Sequence, residues 1–187
     1  MPQPIVLIGP PASGKSTLAA RLAADLGRRH VPLDAVRYYY FLCQSGYSLA
    51  EQMAQPDFAA VVAYWKPFEI EAAERVVAEF PDAVIDFGAG QAHYTDPQRI
   101  ARLQAVLGPL PDVVLLLPSE DLDRAEQISM ERDRERLGPQ YEPTRADLVS
   151  AFVRSECFRT VAKRTVITGD GRTVDDSYAI LRSGLVG

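Results

Sequence analysis

The sequence has few cysteines, no long apolar run and no excess of positive charge. Its only cysteines, Cys43 and Cys157, lie far apart without metal-ligand spacing, which indicates buried thiols in a reducing compartment and excludes a disulfide-rich scaffold. The longest aliphatic run, 113–117, is too short to span a bilayer. The first residues lack the basic start and the apolar stretch of a signal peptide. We therefore expect a cytoplasmic protein with no membrane partner.

Length and charge further limit the kinds of protein that this chain can be. The chain has 187 residues, of which 47% are hydrophobic, and this is typical of one globular domain that folds without a disulfide or metal. We treat residues 1–187 as a single domain. Acidic residues outnumber basic ones by 25 to 20, which argues against a nucleic-acid partner, since such proteins usually carry a basic patch. The sequence does not indicate the oligomeric state.

Short apolar runs alternate with longer segments of helical period. The predicted strands are 5–8, 30–34, 83–86, 112–117 and 165–168. The predicted helices are 16–26, 35–55 with a break near Gly46, 56–80, 96–107, 119–136, 144–162 and 174–185. This alternation predicts an α/β fold in which helices cover both faces of a five-stranded parallel sheet. The ligand site should lie beyond the carboxyl ends of the strands.

The loop after the first strand carries the most specific motif. Residues 9–16 match the phosphate-binding pattern G-x-x-x-x-G-K-[ST] between a predicted strand and a predicted helix. Its glycines allow backbone N–H groups to turn toward a phosphate, and the next helix presents its positive end. We predict that Lys15 reaches the β- and γ-phosphates and that Ser16 is a ligand of Mg²⁺. The predicted nucleotide-binding residues are Gly9, Pro10, Pro11, Ala12, Ser13, Gly14, Lys15, Ser16 and Thr17.

Two acids stand where predicted strands end. Asp86 follows an apolar run, as in a Walker B strand, and Asp34 directly precedes a helix. Either or both could order the Mg²⁺ shell, and Asp34 is also the better candidate for a base. The structural alternative to a catalytic role is, for each acid, a carboxylate that only caps a helix or stabilises a turn. Arg37, one helical turn after Asp34, could bind an anionic group of the acceptor or form a surface ion pair.

Two further segments are candidates for the acceptor site and for a lid. The turn Gly88-Ala89-Gly90 would let an acceptor approach the backbone closely, or it is only a tight turn. The charged helix 119–136 leads into glycine- and proline-rich chain, which suits a lid over about 119–145. We expect at least one of Arg132, Arg134 and Arg136 to enter the site, although a solvated surface helix would look similar.

Together these motifs resemble shikimate kinase and its relatives, the small P-loop kinases, over nearly the whole chain. The resemblance implies the sheet order 2-3-1-4-5, with ATP and Mg²⁺ as cofactors. It implies that Arg132 or Arg134 is a lid arginine and that Arg172 lies near the adenine. Lys66, in Trp65-Lys-Pro-Phe-Glu69, and Arg154 match residues that bind the acceptor in that family.

The acceptor motifs depart from that family. Valine at 36 stands where the second acid of Asp-x-Asp would hold the acceptor, Lys66 replaces an arginine, and Ala89 replaces a glycine. We therefore expect a kinase of a small polar metabolite for which shikimate is at best a poor substrate. Two alternatives remain open. Asp34-x-x-Arg37 also resembles polynucleotide kinases, and the chain could be a non-catalytic NTP-binding regulatory module.

Overall fold

The computed structural model describes residues 3–186, and a single sheet runs through its centre. Its strands are β1 (Ile5–Ile8), β2 (His30–Pro32), β3 (Val84–Asp86), β4 (Val113–Leu117) and β5 (Arg164–Ile167). All pairings are parallel and the order is β2-β3-β1-β4-β5. The predicted fold class and strand order are thus confirmed.

Helices connect the strands on both faces of the sheet. They are α1 (Lys15–Leu26), α2 (Leu33–Phe41), α3 (Leu49–Met53), α4 (Phe58–Glu79), α5 (Pro97–Leu107), α6 (Leu122–Leu137), α7 (Arg145–Val153), α8 (Glu156–Val161) and α9 (Val174–Ser183). Short 3₁₀ turns occupy Ala89–Ala92 and Gly138–Gln140. Within residues 3–186, no helix combines the length and apolar character that crossing a membrane requires.

Alternate side chains of the strands enter two separate cores. Val6 and Ile8 of β1 face a core completed by α4, α5 and α8, whereas Ile5 and Leu7 face a core completed by α1 and α9. All four side chains are fully buried, and each such burial contributes about 1.5–3 kcal/mol. Burial on both faces explains why β1 and β4 appear in the sequence as continuous apolar runs.

The second strand is shorter than predicted. It ends at Pro32, which has extended backbone angles and caps α2, so Asp34 lies in the first turn of that helix and not at the end of a strand. Proline has no N–H to continue the ladder, and its fixed φ suits a position next to a helix start. The prediction of a strand through Asp34 was wrong by two residues, and the correction places this carboxylate on a helix.

Two predicted helices are each divided into two. The helix predicted over 35–55 consists of α2 and α3, joined by a segment in which Gly46 has a φ of 90°. The helix predicted over 144–162 consists of α7 and α8, which are separated at Arg154 and Ser155. The Ser155 hydroxyl shares a hydrogen bond of 2.8 Å with His93 Nδ1 at this break.

One buried carboxylate joins α6 to α7. Asp133 of α6 is fully buried, and its two oxygens accept hydrogen bonds from Arg136 at 2.5 Å and from Arg145 at 3.0 Å. The Arg145 side chain is also mostly buried, with 12% exposed. This ion triad fixes the start of α7 against the end of α6. The lid over 119–145 stays a prediction.

We expect Asp133→Asn to lower the free energy of unfolding by about 3 kcal/mol, because it leaves Arg145 buried without its counter-charge. The measurement is urea denaturation at neutral pH. Asp123→Asn is the matched control, since Asp123 is on the same helix and its ion pair with Arg154 is exposed. Exposed pairs contribute about 0–1 kcal/mol, so equal losses in the two variants would contradict the role given to the triad.

Candidate active site

The loop after β1 is wrapped around the ammonium group of Lys15. Lys15 Nζ donates hydrogen bonds to the carbonyl oxygens of Gly9 at 3.0 Å and Pro10 at 2.7 Å, and the residue is only 8% exposed. Gly9 has a φ of 146°, and a Cβ there would lie 2.3 Å from the carbonyl oxygen of Leu116 in β4. Glycine is therefore required where the loop leaves the sheet.

The buried ammonium is easier to deprotonate than an ordinary lysine. Burial lowers the pKa of Lys15 to about 8, although the carboxylates of Asp34 and Asp86 act in the opposite direction. Nearby Arg136 lowers the pKa slightly further. An anion entering the loop would favour the charged form of Lys15.

Asp86 is held by two neighbours at the end of β3. Its Oδ2 accepts a hydrogen bond from the Ser16 hydroxyl at 2.6 Å, and its Oδ1 lies 2.6 Å from His30 Nε2. Within residues 3–186, no three or more His, Cys, Asp or Glu side chains gather as a metal site. Mg²⁺ bound to a nucleotide takes only one or two protein oxygens besides phosphate and water, and the Ser16–Asp86 pair has the hard oxygen donors for that.

Asp34 faces the same space from the first turn of α2. Its Oδ1 accepts hydrogen bonds from Arg37 at 3.0 Å and from Gln91 at 3.2 Å. A Cβ on Gly88 would lie 2.2 Å from Oδ1, so any side chain at position 88 would displace the Asp34 carboxylate from this position. Both bonds end on Oδ1, and the Asp34 side chain remains 60% exposed.

Arg37 is held against the only tryptophan of the chain. Its guanidinium carbon lies 4.1 Å from the centre of the Trp65 ring, and its side chain is 20% exposed. Within residues 3–186, its buried Nε has no hydrogen-bond partner. Arg37 is therefore half-buried by stacking and not a freely solvated surface residue.

These groups open onto one cavity of about 560 Å³ beyond the carboxyl ends of β1 and β3. The predicted site residues that line it are Pro11, Ala12, Ser13, Gly14, Lys15, Ser16, Thr17, Asp34, Arg37, Asp86, Gly88, Ala89 and Gly90. The structure thus brings together the phosphate loop, both predicted acids and the glycine turn. Their chemical roles stay predictions.

A smaller cavity of about 260 Å³ meets the first one at the phosphate loop, where Ala12, Gly14 and Thr17 line both. Arg132 and Arg172 line its far side. Arg132 donates hydrogen bonds to the carbonyl oxygens of Ala12 at 3.4 Å and Thr168 at 3.2 Å. The loop therefore separates two compartments.

Five predicted site residues are not among those that line either cavity. Gly9 and Pro10 begin the loop, with their carbonyl oxygens on Lys15. Lys66 Nζ donates to Glu69 at 2.9 Å and to the Gly90 carbonyl oxygen at 2.5 Å, so it supports the glycine turn from behind. Arg154 pairs with Asp123 and Glu126 on the surface. The Arg134 guanidinium lies 5.3 Å from the centre of the Tyr141 ring.

Sequence reasoning missed several residues that contact the site. His30 reaches Asp86 only because β2 and β3 are neighbours in the sheet. Arg145 lines the main cavity together with Arg136, which was a candidate in sequence and reaches it from the last turn of α6. The sequence of α6 did contain a signal for which arginines face the cavities. Arg132 and Arg136 are four residues apart and share one face of the helix, whereas Arg134 lies on another.

Comparisons with known proteins agree with this fold. The family described as "AAA domain" matches residues 5–148. The structure resembles a shikimate kinase from Acinetobacter baumannii in complex with shikimate, with 21% identity, a TM-score of 0.60 and coverage of 98% of this chain and 90% of that one. It also resembles the Deinococcus radiodurans tunicamycin resistance protein, with 19% identity, a TM-score of 0.56 and coverage of 100% and 98%. At these identities the likeness shows the fold. No curated protein sequence matches.

We expect Lys66→Met to lower the free energy of unfolding by about 3 kcal/mol, because Glu69 would lose its counter-charge in a buried position. Glu69 is 2% exposed, and burial raises its pKa. The folded state thus favours the protonated acid, and the loss should be larger at pH 8 than at pH 5.

Urea denaturation at both pH values measures this effect. The double variant Lys66→Met/Glu69→Met should recover most of the stability, and the control Lys163→Met should change little, because Lys163 is at an exposed contact with the Gly108 carbonyl oxygen. A loss that is the same at both pH values and persists in the double variant would contradict this account.

Proposed function

The chain belongs to the AAA domain family and has the fold of small P-loop kinases, and we propose that it is an ATP- and Mg²⁺-dependent kinase of a small molecule with a hydroxyl group. One observation carries the proposal. A single cavity contains the phosphate-loop cation Lys15, the Ser16–Asp86 oxygen pair and the accessible carboxylate of Asp34. Phosphoryl transfer to a hydroxyl needs these three functions within one enclosed space.

The phosphate loop accounts for the donor. Its backbone N–H groups and the N-terminus of α1 would bind the triphosphate, and Lys15 would neutralise the β- and γ-phosphates. The nucleobase would then lie in the smaller cavity beside Arg132 and Arg172. Mg²⁺ would be held by Ser16 and Asp86 and would neutralise charge on the phosphates.

The two acids differ in their surroundings, and this supports a division of roles. Asp86 is buried, and both of its oxygens already have neighbours, Ser16 and His30. We assign it to the Mg²⁺ shell. Asp34 has one oxygen, Oδ2, that accepts no hydrogen bond within residues 3–186, and we assign it as the base that takes the proton of the acceptor hydroxyl.

Arginines at the other side of the cavity would stabilise the transferred group. Arg136 and Arg145 line the cavity and share Asp133 as their counter-charge, which leaves one net positive charge facing it. The charge of Arg136 also acts on Lys15, whose pKa it lowers. Positive side chains there oppose the charge that develops in phosphoryl transfer.

The acceptor side argues against shikimate itself. Val36, where the related kinases have a second acid, packs against the hydrophobic core. Lys66 is occupied by Glu69 and the Gly90 carbonyl oxygen. A site built to bind several hydroxyl groups and a carboxylate would need free polar partners in these places.

Lys15→Ala should weaken ATP binding at least ~10-fold, because it removes the charge that neutralises the phosphates. With a pKa of about 8, Lys15 is protonated below pH 8, and binding above that pH must recharge it. The dissociation constant of the unaltered protein should therefore rise about tenfold from pH 7 to pH 9. Isothermal titration calorimetry measures both effects, with Lys163→Ala as control. Unchanged affinity in Lys15→Ala would refute the assignment.

Asp34→Asn and Asp86→Asn should each lower kcat at least ~100-fold, by loss of the base or of the metal shell. The two should differ in their response to Mg²⁺: Asp86→Asn should raise the Mg²⁺ concentration at half-maximal rate, and Asp34→Asn should not. Initial rates against Mg²⁺ concentration separate them, with Asp123→Asn as control. If Asp34→Asn retained near-native turnover, Asp34 would be only a turn carboxylate.

A further inference from the structure

Apolar side chains from three helices line the main cavity beside Asp34. Phe58, Val62 and Trp65 come from α4, Leu137 from the end of α6, and Phe152 from α7. Their elements are fixed by the core and by the Asp133 triad. Hydroxyl groups of a polyol placed against these side chains would lose water without gaining partners.

Two rings in this wall each stack against one arginine. The Arg145 guanidinium lies 4.2 Å from the centre of Phe58, and that of Arg37 lies 4.1 Å from the centre of Trp65. The two rings contact each other edge to face, with centres 6.1 Å apart. Cation–π and aromatic contacts of this kind hold flat surfaces in fixed positions, which suits a flat ligand.

The charges at the acceptor end are balanced in pairs. Arg37 pairs with Asp34, and Lys66 pairs with Glu69. Arg154, the other predicted clamp for an anion, lies outside the cavity on acidic partners. Arg145, which stacks on Phe58, donates to the buried carboxylate of Asp133 at 3.0 Å, and Arg136 shares that carboxylate from the end of α6. Within residues 3–186, each cation beside Phe58 and Trp65 therefore already has a carboxylate partner.

We infer that the acceptor is a neutral alcohol with a flat, apolar ring. This inference rests on the proposed kinase activity and names its substrate class. The ring would pack between the Phe58–Trp65 wall and Phe152, and the hydroxyl would meet Asp34. It revises the expectation, drawn from the sequence, of a polar metabolite bound by Arg37, Lys66 and Arg154, because these three side chains are paired with carboxylates.

Matched acceptors test the class by steady-state ADP release with ATP and Mg²⁺. The neutral ring-bearing acceptors are benzyl alcohol and para-hydroxymethyl benzamide. The benzoate of the same shape adds a negative charge, and glycerol and shikimate are polyol comparisons. One methylene in an apolar pocket changes kcat/KM by about 10-fold or more, so we expect the better neutral ring to exceed each of the others at least ~30-fold. Equal or better turnover of the benzoate, glycerol or shikimate would overturn the inference.

Phe58 at the start of α4 and Phe80 just after its end can be substituted as a matched pair. Phe58 lines the cavity under Arg145, whereas Phe80 lies under Arg29, outside the cavity. Phe58→Leu should raise the KM for the neutral aryl alcohol at least ~5-fold and leave the KM for ATP unchanged, and Phe80→Leu should change neither. An equal effect of both variants would contradict a ring-binding role for Phe58.

The fluorescence of Trp65 detects ligand binding without the need for turnover. Because it is the only tryptophan of the chain, its fluorescence reports occupation of this cavity. The neutral aryl alcohol should change the emission saturably, and glycerol should not. Saturable binding without ADP release would overturn the kinase proposal and support the ligand class. ADP release with other acceptors, without an effect of any aryl alcohol on Trp65, would overturn the ligand class and leave the kinase proposal standing.

Discussion

A buried ammonium group is the constraint on which the rest of this structure depends. Lys15 can remain charged inside the protein only with carbonyl oxygens around it and carboxylates nearby. The loop supplies the carbonyls of Gly9 and Pro10, and the ends of neighbouring elements supply Asp34 and Asp86. The strand order serves this need, because β3 lies beside β1 and so places Asp86 next to Ser16. The same arrangement would let an anionic ligand take over as the partner of the lysine.

Helix α4 links this charged centre to the apolar side of the cavity. Its side chains Val62 and Trp65 belong to the core and, together with Phe58, also border the cavity. Lys66 of the same helix holds the Gly90 carbonyl oxygen, and so fixes the turn that approaches Asp34. Helix α4 thus forms the ring-lined wall and also supports the turn beside Asp34.

The parts of this account that could be predicted from sequence are local in the chain. The phosphate loop is contiguous and the central strands are apolar runs, so motif and periodicity were enough for the fold class and for the position of Lys15, whereas the strand order came from the resemblance to shikimate kinases. Asp34 and Asp86 were identified by their places after apolar runs, although the strand before Asp34 ends two residues early at Pro32. Contacts between distant segments could not be predicted. His30 with Asp86, Arg145 with Asp133, and Lys66 with Gly90 depend on tertiary neighbours. Lys66 and Arg154 were expected to bind the acceptor only because of the resemblance to shikimate kinases.

The central claim is transfer of the terminal phosphate of ATP to a hydroxyl group bound beside Asp34. Phosphorus NMR of the protein with ATP, Mg²⁺ and a neutral aryl alcohol tests it most directly. The account predicts ADP together with a phosphate monoester whose resonance is split by the methylene protons of the alcohol. ADP accompanied only by inorganic phosphate, with this alcohol and with each of the comparison acceptors, would show that water is the acceptor, and it would contradict the account.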